Sequence, residues 1–340
     1  MPTPFPPTSG PAARRTVLAA GIATLVAGAT GLQAAPAQAA VVPIKLRLAT
    51  LANVNIRSGA STSHKVLGVA KKGTTLAVTG RASNGWFRLT WKQRTAYVSH
   101  TVLTHAKTKE KYTTTRNGLP LSALWFTRSS GVRLYHLPGG AVMVADLYAG
   151  TPVWRDAALE KAYGPRAGWA YVRTAGALGW MRTADLRRTQ PRATAWKGKT
   201  TAAQLRRSAN GKLPSSALVA IPWDPQKNLI AGPALADLTR MNAAFKKKFG
   251  RDLEVDLTYR TLGMQRYLYT DLGPMIAARP GTSSHGWGLA IDFPETKPYG
   301  FGGAYYTWLK KYSKQWGWVH HKRLEQGSPY AEAWHFEYVR

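Results

Sequence analysis

Two short stretches near the C-terminal end carry the residue types that bind metal ions and move protons. They are Ser283-Ser284-His285-Gly286-Trp287-Gly288-Leu289-Ala290-Ile291-Asp292 and Glu332-Ala333-Trp334-His335-Phe336-Glu337-Tyr338. Leu289, Ile291 and Phe293 alternate as the buried face of a strand, which leaves Gly288, Ala290 and Asp292 on the other face. Asp292 therefore projects from a surface nearly bare of side chains, one that something approaches closely. His285 precedes the strand in a glycine-flanked turn, from which its imidazole can swing to the Asp292 side. Trp334, Phe336 and Tyr338 form a second apolar face, and His335 points away from it. Two imidazoles and one carboxylate are a good ligand set for one catalytic zinc ion, with the fourth position left to water. Zinc lowers the pKa of that water toward neutrality, and a carboxylate outside the ligand set must then carry the proton. Glu332, three residues before His335, can be presented beside the metal by a turn. Glu337, on the same strand face as His335, is the rival base, and it would crowd a ligand.

These residues need elements to hold them. Pro233 opens a helical pattern with Leu235, Leu238, Met241, Phe245 and Phe249 on one face, stopped by Gly250. Leu253, Val255, Leu257 and Tyr259 alternate with Glu254, Asp256, Thr258 and Arg260, which predicts a half-buried strand. A second helix is predicted over Gly303–Trp316, with Gly317 as its stop. Strands and helices come in blocks rather than in regular alternation, which argues for an α+β domain. Trp287 and Trp334 either line the site or pack in the core.

The N-terminal two thirds have another texture. Arg14-Arg15, an uncharged Ala/Gly-rich run from Thr16 to Leu32 and the small-x-small pattern Ala37-Gln38-Ala39 predict a signal peptide over 1–39, whose paired arginines resemble a twin-arginine signal. The route, Sec or twin-arginine, stays open. From Val41 to Thr104, short alternating runs punctuated by Ser58-Gly59, Gly80 and Asn84-Gly85 predict a small β-barrel. The stretch "NVNIRSGASTSHKVLGVAKKGT…NGWFRLTW…TAYVS" resembles a bacterial SH3-like module, which implies a wall-binding role over 41–106. A divergent copy is predicted over 117–188: Gly150-Thr151 answers Gly73-Thr74, Gly168-Trp169 answers Gly85-Trp86, and Trp180 stands where Tyr97 stood, with an insertion around Ala157 to Arg166. The basic, Thr/Ala-rich residues 189–209 read as a linker, and 210–340 as the domain bearing the two stretches. Asn117-Gly118-Leu119-Pro120 and Asn210-Gly211-Lys212-Leu213-Pro214 echo one another, each before a Ser-Ala-Leu. The fold class predicted is thus multidomain: one or two small all-β barrels followed by an α+β domain.

Forty-seven Lys and Arg against sixteen Asp and Glu give a formal charge of +31 over 340 residues, which predicts a polyanionic partner. The excess is spread along the chain, and its functional reading is retention on anionic wall polymers. An export signal and the lack of a nucleic-acid motif argue against DNA. After signal cleavage no membrane span is predicted. The chain has no cysteine, which excludes disulfides and thiol catalysis. There is also no Ser-x-x-Lys tetrad for a serine penicillin-binding enzyme, and no His-x-His of the lysostaphin type.

The joint pattern S-x-H-x-x-G-x-A-x-D followed by E-x-W-H resembles the VanY-type zinc D-Ala-D-Ala carboxypeptidase family over roughly 210–340. The resemblance implies His285, Asp292 and His335 as ligands of one zinc ion and Glu332 as base. The family's Tyr-Arg-Ser/Thr-x-x-x-Gln element is present as Tyr259-Arg260-Thr261-Leu262-Gly263-Met264-Gln265. By similarity, Arg260 would stabilise the oxyanion, Gln265 would help position the substrate, and Ser283 would lie near it, beside Trp334. Arg260 as a surface ion-pair residue is the plainer reading. His320-His321 could add at most one ligand, since adjacent residues on a strand face opposite sides, and the resemblance assigns neither. His64, His100, His105 and His136 read as structural or exposed. The expected activity is removal of terminal D-alanine from peptidoglycan stem peptides by a secreted, wall-associated protein. An L-Ala-D-Glu-type endopeptidase using the same residues, or a non-catalytic wall-binding protein, are the alternatives.

Overall fold

A computed structural model describes residues 40–106, 118–273 and 277–340. The signal-peptide reading of 1–39 lies outside the described residues. Among the described residues no helix is long and apolar enough to cross a membrane.

Two seven-stranded antiparallel sheets occupy the first half, one over Val41–His105 and one over Leu124–Arg187. Numbered from the start of each sheet, both have the strand order third, second, sixth, fifth, fourth, first, seventh, so the second repeats the topology of the first. The agreement reaches single atoms. The Thr74 amide donates to Thr50 Oγ1 at 3.0 Å, and the Thr151 amide to Thr127 Oγ1 at 2.9 Å. Both barrels thus carry the expected all-β architecture. The insertion around Ala157 is a short helix, α1 (Ala157–Ala162), whose N-cap Asp156 accepts from the Leu159 amide at 2.9 Å. The barrels meet through their interiors: Leu137 leaves the second sheet to join the core of the first, alongside Leu48, Ile56 and Leu103. Trp180 Nε1 donates to His105 Nε2 at 3.1 Å, and His105 stacks on Tyr163 with centroids 3.7 Å apart.

The basic stretch read as a linker does not run free. It contains α2 (Ala202–Arg206), opened by a reciprocal capping box between Thr201 and Gln204. Ala202 and Leu205 are buried in the core of the C-terminal domain, and the Ala220 amide bonds the Ala193 carbonyl at 2.8 Å. Apolar residues set at helical spacing within a polar sequence fix this segment against the domain.

That domain is built on α3 (Gly232–Phe249), started by Pro233 and ended by Gly250 in the left-handed region. Leu235, Leu238, Met241 and Phe245 bury the predicted face against two small sheets. The predicted strand over 253–259 is not one: α4 (Leu262–Leu272) follows an extended segment with a single bridge, Leu257 to Asp292. Its alternation is real, with Leu253, Val255 and Leu257 buried. Its amides, however, go to single acceptors, Asp256 to the Asp292 carbonyl and Tyr259 to Leu229, instead of to one continuous partner. The helix predicted to end at Trp316 is α5 (Ala304–Tyr312) continued by a 3₁₀ turn, Ser313–Trp316. The echo noted in the sequence is structural too. Pro120 and Pro214 each precede a one-turn 3₁₀ helix that delivers a Leu into a strand.

Candidate metal centre

Strand His335–Tyr338 runs between Ala290–Asp292 and Trp318–Val319 in a three-stranded antiparallel sheet. Its register puts Asp292 opposite His335, so the two side chains are cross-strand neighbours on one face. The apolar alternation fills the other face: Leu289, Ile291, Phe293 and Phe336 are all at most 2% exposed. His285 comes from a 3₁₀ turn, Ser284–Trp287, closed by Gly288 at φ +62°. A Cβ at Gly288 would crowd the Ala231 backbone nitrogen at 2.9 Å, so glycine alone lets the turn fold back over the sheet.

The three side chains converge. His285 Nε2 lies 3.2 Å from Asp292 Oδ2 and 3.2 Å from His335 Nδ1, while His335 Nδ1 lies 2.8 Å from Asp292 Oδ1. Tetrahedral bonds of about 2.0–2.1 Å separate ligand atoms by about 3.3 Å, so an ion fits after a small outward relaxation. The remaining ring nitrogens are spoken for. His285 Nδ1 donates to the Thr258 carbonyl at 2.6 Å, and His335 Nε2 donates to Glu337 Oε1 at 3.2 Å. A carbonyl can only accept, which fixes the proton of His285 on Nδ1 and turns the Nε2 lone pair toward the cluster.

Electrostatics favour a cation here. Burial alone would raise Asp292, but His285 and His335 hold it well below the usual carboxylate range. Burial opposes charge on His335, yet its bonds to Asp292 and Glu337 push it up to about 9. His285 is lowered, chiefly by burial. A metal must therefore displace a proton at His335 while finding Asp292 ionised and His285 neutral.

The two candidate bases are separated by the structure. Glu337 shares the strand face with His335, as expected, but its carboxylate is taken up by His335, by Arg323 Nη2 at 2.8 Å and by His321 Nε2 at 3.2 Å. It braces a ring. Glu332 sits in the turn before His335, and burial raises its carboxyl above the ordinary value, with His335 and Arg260 opposing. His320 Nε2 donates to the Glu332 carbonyl at 3.0 Å, and the Glu332 amide bonds the Leu324 carbonyl at 3.0 Å, which pins the turn from both sides. Neither His320 nor His321 belongs to the three-donor cluster.

Arg260 reaches the same place from the extended segment. Its amide bonds the His285 carbonyl at 3.0 Å, and Asp292 and Glu332 act on its guanidinium, which burial lowers. Its Nε is buried without a hydrogen-bond partner. A desolvated donor beside three acidic or ligating groups is a costly arrangement, and an incoming oxygen acceptor would relieve it. This weighs against the surface ion-pair reading of Arg260.

Gln265 departs from expectation. It is 2% exposed, its Nε2 donates to Asn210 Oδ1 at 2.9 Å and to the Arg260 carbonyl at 3.3 Å, and its Oε1 accepts from the Gly281 amide at 2.9 Å. In the first turn of α4 it faces inward and ties three segments together, so no group is left for direct substrate contact. Ser283 is buried, with its carbonyl held by Asn210 Nδ2 at 2.8 Å. Trp334 and Trp287 are partly buried against the core, and Trp287 Nε1 donates to the Ser208 carbonyl at 3.2 Å. Thr258 and Glu337, the two groups that orient the histidines, were not singled out for that role by the sequence. Glu337 carried a usable signal, being two residues from His335 on one strand face. Thr258 carried none.

Residues 227–340 match the D-alanyl-D-alanine carboxypeptidase family, VanY, and residues 52–104 match the bacterial SH3 domain. A search of curated proteins finds no match. Among solved structures, the LD-carboxypeptidase LdcB is similar at 24% identity and TM-score 0.34, over 42% of this chain and 81% of that one. A mutant of the vancomycin-resistance D,D-pentapeptidase VanY in complex with Zn(II) is similar at 21% identity and TM-score 0.30, over 40% and 89%. VanYB in complex with D-alanine-D-alanine follows at 23% and 0.29, over 40% and 83%. Residues 227–340 are accordingly a domain of the D-alanyl-D-alanine carboxypeptidase family, carried behind a bacterial SH3 domain at 52–104.

Proposed function

We propose that this protein is an exported zinc peptidase that removes the terminal D-alanine from peptidoglycan stem peptides. The observation that carries the reading is the convergence of His285 Nε2, His335 Nδ1 and the Asp292 carboxylate, with Thr258 and Glu337 holding the other ring nitrogens. One zinc ion bound by these three side chains would supply a Lewis acid and lower the pKa of a water molecule. Glu332 takes a proton from the attacking water and passes it to the departing amine, a role to which a raised carboxyl pKa is suited. Arg260, whose buried Nε has no hydrogen-bond partner, meets the peptide oxygen as negative charge develops there. Ser283 and Trp334 are assigned to the substrate-binding surface. Gln265 acts on the substrate only through the Arg260 and Gly281 backbone it braces.

The first barrel is the wall-binding module, and the charge of +31 favours retention on anionic wall polymers. The deciding experiment gives purified, zinc-loaded protein a stem pentapeptide and weighs the products. Loss of a single alanine is the expected result. Internal fragments would replace the carboxypeptidase reading with an endopeptidase using the same residues, and an untouched peptide would defeat both.

A further inference from the structure

Segment 255–263, the extended run up to Thr261 and the first two residues of α4, is where the second barrel meets the metal centre. On its inner side, the Thr258 carbonyl orients His285, the Leu257 carbonyl accepts from the Asp292 amide at 2.8 Å, and the Arg260 amide bonds the His285 carbonyl. On its outer side the second barrel holds it at both ends. Trp154, fully buried, donates from Nε1 to Gln226 Oε1 at 3.1 Å, and Gln226 Nε2 donates to the Val255 carbonyl at 2.6 Å. Tyr148 packs edge-on against Tyr259 with centroids 5.2 Å apart. At the far end, Gly263 lies so close to the Asp146 carboxylate and the Ala145 carbonyl that any Cβ would collide with both.

Beyond Gly263 the two bodies share one core. Met264 and Leu268 of α4, with Ala277, are buried among Val132, Leu134, Val144 and Leu147 of the barrel. Two further ties flank the junction: Gln190 Nε2 donates to the Gly150 and Lys227 carbonyls, and Arg192 donates to those of Ala149 and Ser215. A tethered binding module would present its own complete core and a polar surface toward its neighbour. This barrel instead lends its core to the helix that follows Arg260.

We propose that the second barrel is a fixed part of the catalytic unit, a brace that positions Arg260 and the Thr258 carbonyl by gripping segment 255–263, and not a second wall-binding module. The positioning residues are Trp154, acting through Gln226, and Leu268, acting through α4. The catalytic consequence rests on the proposed peptidase function, whereas the mechanical one does not.

Three full-length, zinc-loaded variants test it. Trp154→Phe removes one N–H and keeps the ring, Leu268→Ala opens a cavity under α4, and Leu89→Ala opens one in the first barrel, away from segment 255–263. Hydrogen exchange reads the brace without any substrate. Amides 256–260 in Trp154→Phe and 262–272 in Leu268→Ala should exchange about tenfold faster than wild type, while Leu89→Ala leaves both stretches unchanged. On a stem pentapeptide, the first two should lose roughly ten- to hundredfold in kcat with KM within about twofold, as misplacement of a charge-stabilising group predicts. Unchanged exchange in both variants, or an equal effect from Leu89→Ala, overturns the brace. A wild-type protein that leaves the peptide intact overturns the peptidase reading alone, because exchange still decides the rest.

Discussion

The Nε2 of His335 faces the carboxylate of Glu337, two residues further along the same strand, at 3.2 Å, and this pairing leaves Nδ1 as the ring atom that faces Asp292 and His285. The strand's period of two, which puts both side chains on one face, makes the contact local and independent of the rest of the fold. It also sets Glu337 apart from Glu332, the base that the sequence favours.

For Glu337→Gln we expect zinc affinity to fall about 10- to 100-fold, the usual cost of removing a carboxylate behind a ligating histidine. Competition with a chromogenic chelator measures it. Were Glu337 the base, affinity would hold and only turnover would drop.

Glu332→Gln should behave in the opposite way. Its backbone is pinned by His320 and Leu324, so the turn should survive and zinc content should match wild type. Turnover of the stem peptide should fall by about 10²- to 10⁴-fold, the range for a proton-transfer group. Variant and wild type turning over equally would remove Glu332 from the chemistry.

Arg260→Lys keeps the charge but loses the buried Nε donor and the planar fork. A kcat loss of about 10²- to 10³-fold is expected, the range for one lost oxyanion donor. KM should change far less, because the interaction belongs to the developing charge and not to the bound ground state.

A pH effect should arise far from the cluster. Burial, with His136 nearby, lowers His105 from 6.5 to about 3, and its Nε2 accepts from Trp180 Nε1, which a protonated ring could not do. Below pH 6.5 the unfolded chain takes up a proton that the folded chain refuses, so stability falls as pH drops from 6.5 toward 3. Because the ring is partly exposed, we expect a loss of about 1–2 kcal/mol between about pH 6.5 and 4.5. Urea unfolding of wild type and His105→Phe across that interval should give a shallower slope for the variant, and equal slopes would count against the assignment.

What the sequence made legible is what local periodicity determines. Leu289, Ile291 and Phe293 face the core, so Asp292 must face away, and the helix from Pro233 to Gly250 announces both of its ends. Legibility fails where a side chain's direction depends on a distant partner. Gln265 was expected at the substrate, but its amide is claimed by Asn210, fifty-five residues earlier. Segment 253–259 alternates like a strand yet has only scattered acceptors, and no local rule reveals that. The misread linker is a different case. Thr201 and Gln204 stand at capping-box spacing, a helix start that the sequence displayed and that a basic, Thr/Ala-rich composition concealed.

Leu137 sits in the interior of a barrel to which its own strands do not belong. Swinging one barrel away from the other would drag that side chain into water, at about 1.5–3 kcal/mol before any other contact is counted. The barrels should therefore turn together, and the second is in turn built into the C-terminal domain. Under the function proposed above, an anchor mounted this way would act as a spacer with a set length and heading, and the wall strand it held and the peptide to be trimmed would lie one molecular span apart.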